Sequence, residues 1–295
     1  MFDAITQFRD AMQASGLIPP DAIKPGKFYR FPGIGKRHGN TAGWCILFDD
    51  ALGGCFGDWS SGFSETWHAK RSKSFTTHER EAFKRRVAEA RAQAKADLEI
   101  QQTKAAKRAS TIWSEATLAP DHYSYLVHKD IKSNGAMLYR DTLTLPVTDF
   151  TGKMTSLQFI KPDGRKLLLS GGRKHGCFIH VAGNMQGASR VILCEGWATG
   201  CTLAEDDPSA LVLAAIDAGN LKPVAVAARH RWPSAELVIA GDDDRLTADN
   251  PGATKARAAA IASGALLALP QWPVGAPENL TDFNDLAAWL ERETV

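Results

Sequence analysis

From residue 190 onward, short apolar runs alternate with helix-like stretches at regular intervals. RVILC, ALVLAA, ELVIA and ALLALP read as strands. ATGCTLAE, NLKPVAVAARHRW, GATKARAAAIASG and DFNDLAAWLERE read as helices between and after them. Strands that are apolar throughout, with no alternation, fit burial on both faces. Helical crossovers between them make the sheet parallel. In such a sheet, functional groups sit just beyond the carboxyl ends of the strands.

The pattern upstream is different. GKFYRFPGIGKRHGN and GWCILFDDALGGCFGDWSSG are rich in Gly and aromatic residues. They predict short strands with tight turns, and so a small β-rich module over residues 1–75. Residues 77–110 are polar, alanine-rich and free of Gly and Pro. They predict a long exposed helix, a basic linker over 76–110, with Thr77 and Arg80 giving a weak cap. Residues 111–135, around HYSYLVHKDI, read as helical, and LTLPVTDFTGKMTSLQFIKPDGRKLLLSGG reads as strands joined by turns at TG and PDG. The expected organisation is a mixed segment over 111–184 and an α/β domain over 185–295. The fold class is α/β within an α+β multidomain chain.

Composition adds limits. At 295 residues, the chain is long enough for two average domains, and 44% hydrophobic with 23% charged residues is ordinary for a globular protein. No apolar run reaches the length of a membrane-spanning helix. The opening MFDAITQFRD lacks the pattern of a signal peptide. A cytoplasmic protein with no membrane partner is expected. Cysteines 45, 55, 177, 194 and 201 form no CxxC pair, which favours free thiols. The net charge of +2 is unevenly spread. Lys70 to Arg108 carries twelve basic and five acidic residues, whereas Cys201 to Val295 carries seven basic and fourteen acidic ones. The first segment suits polyanions and the second suits cations.

Two of the predicted strands end in acid. VILC runs into Glu195-Gly196, and VIAG runs into Asp242, Asp243 and Asp244, 47 residues later. If the two strands are parallel neighbours, these carboxylates meet at one edge of the sheet. Strand alternation puts Asp242 and Asp244 on one side and Asp243 on the other. Adjacent carboxylates repel without a counter-charge. Mg²⁺ suits such a group, because it takes a few carboxylates and keeps waters and substrate phosphates. A helix cap would explain one aspartate but not three with a matched glutamate.

CEGWATG followed by AGDDD resembles the Toprim domain, the metal-dependent α/β unit of bacterial-type primases, some topoisomerases and some nucleases. Glu195-Gly196 matches its Glu-Gly, and Asp242 with Asp244 matches its Asp-x-Asp. The third acidic position falls in TDFNDL, on Asp282 first and Asp285 second. Where the bacterial replicative primase often has Asp, four residues after the Glu, this chain has Thr199. HYSYLVHKDI resembles the H-x-Y-L-x-x-K-G-I stretch of phage and plasmid primases. The segment from Tyr139 to Phe178 resembles the subdomain that precedes Toprim in primase cores, and the aromatic N-terminal segment resembles the first module of the same group.

The resemblance implies a DNA primase: two-metal joining of ribonucleoside triphosphates on single-stranded DNA, with Mg²⁺ or Mn²⁺ as cofactor. It implies Glu195, Asp242 and Asp244 as catalytic metal ligands, assisted by Asp282 or Asp285. Arg140, Lys166, Arg173 and Lys174 are the candidates for phosphate and template binding. His38, Cys45, Cys55 and His68 match no usual zinc spacing, so the N-terminal module is expected to be zinc-free. Its interleaved aromatic and basic residues suit single strands, with Trp59, Arg30 and Lys36 as possible template contacts. No GxxxxGK[ST] occurs, so a replicative helicase is expected as a separate partner. The rival readings are a Toprim nuclease acting on RNA or DNA, and a non-catalytic protein that binds single-stranded DNA.

Overall fold

The computed structural model describes residues 2–70 and 76–293. The chain divides into two compact units, Met1–Ile100 and Gln101–Val295. The first begins with a helix, α1 (Phe2–Ala14), that the sequence reading above does not anticipate. Its signal is the spacing of Ile5, Phe8 and Met12, which places all three on one face. Four antiparallel strands follow in sequential order: β1 (Phe28–Phe31), β2 (Gly43–Leu47), β3 (Gly53–Asp58) and β4 (Phe63–His68). One face of this sheet packs Cys45, Leu47 and Phe56 with Phe8 and Met12. The other packs Trp44, Ile46, Phe48 and Cys55 with Phe83, Val87, Ala90 and Ala94. Covered on both faces, β2 and β3 are buried along their whole length.

Phe83 to Ala94 belong to α2 (Thr77–Glu115), 39 residues long, which continues into the second unit. Its start is fixed one residue earlier than the sequence suggests. Thr76 and Glu79 form a reciprocal capping box, with Thr76 N–H on Glu79 Oε2 at 2.8 Å and Glu79 N–H on Thr76 Oγ1 at 3.2 Å. The helix is not solvated all round, because Ala90, Ala94, Ala105 and Ala109 are buried.

The second unit holds two sheets. The first, in the order β5-β6-β7-β8-β9, comprises β5 (Thr117–Leu118), β6 (Met137–Tyr139), β7 (Thr142–Thr148), β8 (Met154–Ile160) and β9 (Lys166–Leu168). All its pairings are antiparallel, and turns at Asp149–Gly152 and Lys161–Gly164 join the last three strands, as TG and PDG predict. The expected helix over 111–135 shrinks to the last turn of α2 and a short α3 (Ser124–Lys129). It stops at Asp130, whose left-handed φ of 49° occupies the place of the glycine in H-x-Y-L-x-x-K-G-I.

The second sheet contains β10 (Ile179–Ala182), β11 (Arg190–Cys194), β12 (Leu211–Ala214), β13 (Glu236–Ala240) and β14 (Leu266–Ala268), in the order β10-β12-β11-β13-β14. The last four are mutually parallel, as expected. β10 is an antiparallel edge strand, so this sheet starts upstream of residue 185. Helices α4 (Trp197–Asp206), α5 (Ala218–Arg231), α6 (Pro251–Ser263) and α7 (Phe283–Glu293) follow the parallel strands in turn. α5 and α6 cover one face over Val191, Leu193, Leu213 and Ile239. On the other, Ile192, Val212 and Val238 share a core with α3, α4 and with Leu143, Leu145 and Ile160 of the antiparallel sheet. Thr148 and Phe178 exchange backbone hydrogen bonds of 2.8 and 2.9 Å, linking β7 to the approach to β10.

Candidate active site

Strand β11 lies between β12 and β13. From it the chain winds outward to β12 on one side, and β13 and β14 extend on the other. The crevice beyond the ends of β11 and β13 is therefore the switch point of the sheet. Cys194 pairs with Ala240, so the two strands end level. Glu195 follows the first, and Gly241-Asp242 follows the second.

Glu195, Asp242, Asp244 and Asp282 act on one another here. The Asp242 carboxyl is pushed up to about 8, first by burial and then by the charges of Glu195, Asp282 and Asp244. Burial also raises the Glu195 carboxyl, opposed by a hydrogen bond from Ala218 N–H at the start of α5. Asp242 Oδ1 is buried with no hydrogen-bond partner. An unpaired buried carboxylate oxygen is costly, so the site has unfilled capacity for a cation or a proton donor. Lys166, at the start of β9, supplies positive charge to both Glu195 and Asp242. Its Nζ lies 3.6 Å from the place a Cβ would take on Gly196.

The three consecutive aspartates lie beyond the end of β13, and their side chains have different partners. Asp243 turns away, accepting from Asn250 Nδ2 at 2.6 Å and from Trp272 Nε1 at 2.8 Å, with Arg245 Nε 3.9 Å off. Asp244 stays at the edge but spends Oδ2 on the N–H of Gly252 at 2.9 Å, in the first turn of α6. A Cβ on Gly252 would come within 2.9 Å of that oxygen and 2.7 Å of the Asp242 carbonyl, so only glycine fits this turn. Asn250 caps the helix and accepts from Asp244 N–H at 2.9 Å.

Asp243 N–H donates to Thr281 O at 2.7 Å, drawing the segment before α7 against the aspartates. There Asp282 and Asp285 part company. Asp282 accepts from Thr199 Oγ1 at 3.2 Å and from Asp285 N–H at 2.8 Å, and it faces Asp242. Asp285 accepts from Lys129 Nζ at 3.0 Å and from Thr281 N–H at 3.1 Å, so both its oxygens are engaged. Thr199, which replaces the family's Asp, puts a hydroxyl donor where a further negative charge would stand.

Among the described residues, no three His, Cys, Asp or Glu side chains close into a ready metal cage. The arrangement is an open row of hard oxygens with one bare atom. It fits an ion that retains water and shares its coordination with substrate phosphates.

Most of the other sequence-named cations have partners of their own. Arg173 pairs with Asp149, and Lys174 pairs with Asp217. Arg140 sits in the β6–β7 turn with its guanidinium 5.2 Å from the Tyr139 ring centre. In the first unit, Arg30 lies 4.3 Å over the Trp59 ring and pairs with Asp97 at 3.1 Å. Trp59 in turn stacks on Trp44, and beside it opens a cavity of about 480 Å³ lined also by Phe63, Arg91 and Lys95. Lys36 is exposed in the loop between β1 and β2. Cys45 and Cys55 are buried on opposite faces of the sheet.

Sequence reasoning missed Asn220, a buried side chain with four polar neighbours near Lys174. It also missed Ile216, the one β-branched residue with positive φ (80°) among the described residues. Only the unusual IDAGN spelling at a strand end hints at either.

Residues 190–289 match the Toprim domain family, so the chain carries a Toprim domain. Over 96% of its length it is 31% identical to a DNA primase TraC of Escherichia coli, and over 91% it is 32% identical to a second DNA primase TraC of Escherichia coli. It spans 20% and 26% of the length of these two relatives. The resemblance to phage- and plasmid-type primases with a Toprim domain thus extends over almost the whole chain. Among solved structures, the primase fragment of the bacteriophage T7 primase-helicase protein aligns with a TM-score of 0.41 and 16% identity, covering 58% of this chain and 72% of that one. No described helix is long and apolar enough to cross a membrane.

Proposed function

We propose that the chain is the catalytic part of a DNA primase, joining ribonucleoside triphosphates into short RNA primers on single-stranded DNA. The observation that carries this reading is the carboxylate edge at the switch point of the Toprim sheet, with Asp242 Oδ1 unpartnered. Glu195, Asp242 and Asp244 would hold Mg²⁺ or Mn²⁺, with Asp282 assisting and Asp285 fixing the start of α7. Bound there, the ions supply activation of the primer 3′-hydroxyl and neutralisation of the triphosphate.

The chain's own residues do the rest. Among the described residues, Lys166 lies near the carboxylates with no ion pair of the kind Asp285 gives Lys129, and in this reading it meets phosphate oxygens as a point charge. In this reading Lys174 and Arg173 bring further cations from the segment between β9 and β10, and Arg140 contributes from its turn. Trp59, Arg30 and Lys36 serve the template in this reading, through ring and phosphate contacts. A replicative helicase acts as a separate partner.

The test is primer synthesis on varied single-stranded templates with labelled ribonucleotides and Mg²⁺ or Mn²⁺. Short products from the wild type, lost in Glu195→Gln, are expected. A wild type that makes no products but cleaves labelled RNA would replace the primase reading with the nuclease one.

A further inference from the structure

Three observations converge on the corner between β12 and α5. The first is Asn220, 2% exposed, in the first turn of α5. Its Oδ1 accepts from Gly176 N–H at 2.9 Å. Its Nδ2 faces the carbonyls of Lys174 at 3.1 Å, Cys177 at 2.8 Å and Ala215 at 2.9 Å. The reverse amide orientation would set oxygen against three carbonyls, so chemistry fixes the assignment. One side chain thus ties the segment 174–177 to the end of β12. The Asn220 side chain is not needed to start its helix: the backbone N–H already donates to Asp217 O at 3.0 Å, and the side-chain hydrogen bonds all leave the first turn.

The second is Ile216. A buried β-branched residue at φ 80° is a rare conformation, and such outliers persist only where the surroundings impose them. The turn it makes presents the next two residues to the carboxylate edge. The Ala218 backbone and the Asp217 charge both act on the Glu195 carboxyl. The third is Lys174 itself, whose ammonium pairs with Asp217. Lys174 is therefore held twice, through its carbonyl by Asn220 and through its ammonium by Asp217, beside the glutamate of the catalytic edge.

We propose that Asn220 is a positioning residue. It fixes the 174–177 segment so that Lys174 leaves Asp217 for the phosphates of the incoming nucleoside triphosphate. This rests on the primase reading for the identity of the ligand, but the mechanical part does not. Free of Asn220, the Gly176 N–H and the Lys174 and Cys177 carbonyls lose their side-chain partner while the ends of the segment stay held by Thr155 and Thr148, and the ammonium loses its fixed approach.

The full chain is compared as wild type, Asn220→Ala, Lys174→Ala and the double variant. The readouts are binding of a fluorescent ribonucleoside triphosphate in Mg²⁺, hydrogen exchange over 172–178, and the split of nucleotide KM from kcat in primer synthesis. Asn220→Ala is expected to weaken nucleotide binding about ten- to a hundredfold, to raise KM by a similar factor with kcat nearly kept, and to speed exchange over 172–178. The double variant should bind no worse than Lys174→Ala alone. Asn220→Ser, which keeps one hydroxyl, replaces the alanine variant if that fails to fold, and should fall between it and wild type. The proposal is overturned if a folded Asn220 variant binds nucleotide as wild type does, or if the two losses multiply in the double variant. Absence of primers from wild type would overturn the primase reading alone, because binding and exchange still decide the role of Asn220.

Discussion

Asp58 and Asp242 are aspartates at the end of a strand, each with a buried carboxylate oxygen, and they have been treated in opposite ways. Asp58 closes β3 in the antiparallel sheet of the first unit and is fully buried. Its Oδ1 accepts from Ser60 N–H at 2.8 Å and Ser60 Oγ at 2.7 Å, and its Oδ2 accepts from Ile34 N–H at 3.0 Å. Asp242 follows β13 in the parallel sheet, and its Oδ1 has no partner while three other carboxylates bear on it. Burial of a carboxylate therefore says little about function in this molecule. What separates structure from chemistry is whether the local backbone has answered the charge. An antiparallel turn can supply N–H groups from its own loop. The crevice of a parallel sheet gathers strand ends from distant segments and leaves the charge to be met from outside.

The largest expected effect breaks the pair apart. Asp242→Asn, Asp244→Asn or Glu195→Gln should lower primer synthesis by about a thousandfold, as loss of several kcal/mol of metal-borne stabilisation would, with the fold intact. Asp58→Asn should instead lose about 1–3 kcal/mol in denaturant unfolding of the first unit and keep nucleotide binding. If Asp58→Asn abolished nucleotide binding in folded protein, the contrast would be wrong.

Next comes pH. The folded Asp242 carboxyl lies at about 8, above its ordinary value, so its contribution to stability is present at low pH and fades as pH rises through about 8. In chelator, the wild-type unfolding midpoint should fall from about pH 4 to about pH 8 relative to Asp242→Asn and then level off. Ions compete with the proton, so Mg²⁺ affinity should rise over the same range. Parallel pH profiles for the two proteins would show that Asp242 is not the strained group.

Asp243 tests alternation within one stretch. Asp243→Ala removes the partner of Trp272 and Asn250 and should cost stability, about 1–3 kcal/mol, while primer synthesis falls far less than in Asp242→Ala or Asp244→Ala. Equal losses of activity at all three positions would contradict it. The smallest effect concerns Gly196. Its φ of −97° is open to any residue, and an added Cβ would sit 3.5 Å from Thr199 Oγ1 and 3.6 Å from Lys166 Nζ, ordinary contacts. Gly196→Ala should fold within about 0.5 kcal/mol of wild type and act mainly on nucleotide KM through Lys166. Severe unfolding of this variant would mean that the glycine serves packing instead.

The parallel half was legible because its signals are local and repeated. Each apolar run is a strand, each alanine-rich run a helix, and acids at two strand ends meet once the strands are neighbours. Three things were hidden. β10 joins the sheet antiparallel through a pairing to β12 that no local pattern announces. Asp282 and Asp285 look alike in sequence, and only Lys129, 156 residues away, decides that one is tied down. Asn220 reads as an ordinary polar residue of a helix start until the loop it holds, more than forty residues earlier, is placed beside it. Helix α1 was legible in its spacing, but the glycine- and aromatic-rich segment after it dominated the reading of the first seventy residues.

The indole of Trp272 rests on Asp243 at 2.8 Å and lies under the Arg245 guanidinium at 4.4 Å, and Asp243 is flanked in the chain by Asp242 and Asp244. Fluorescence of an indole responds to the field of its charged neighbours. The site therefore carries its own optical reporter. Of eight tryptophans, this one can be isolated as a difference spectrum against Trp272→Phe, so the proposed arrival of cation and nucleotide can be tested in unlabelled protein, in real time and before any bond is made.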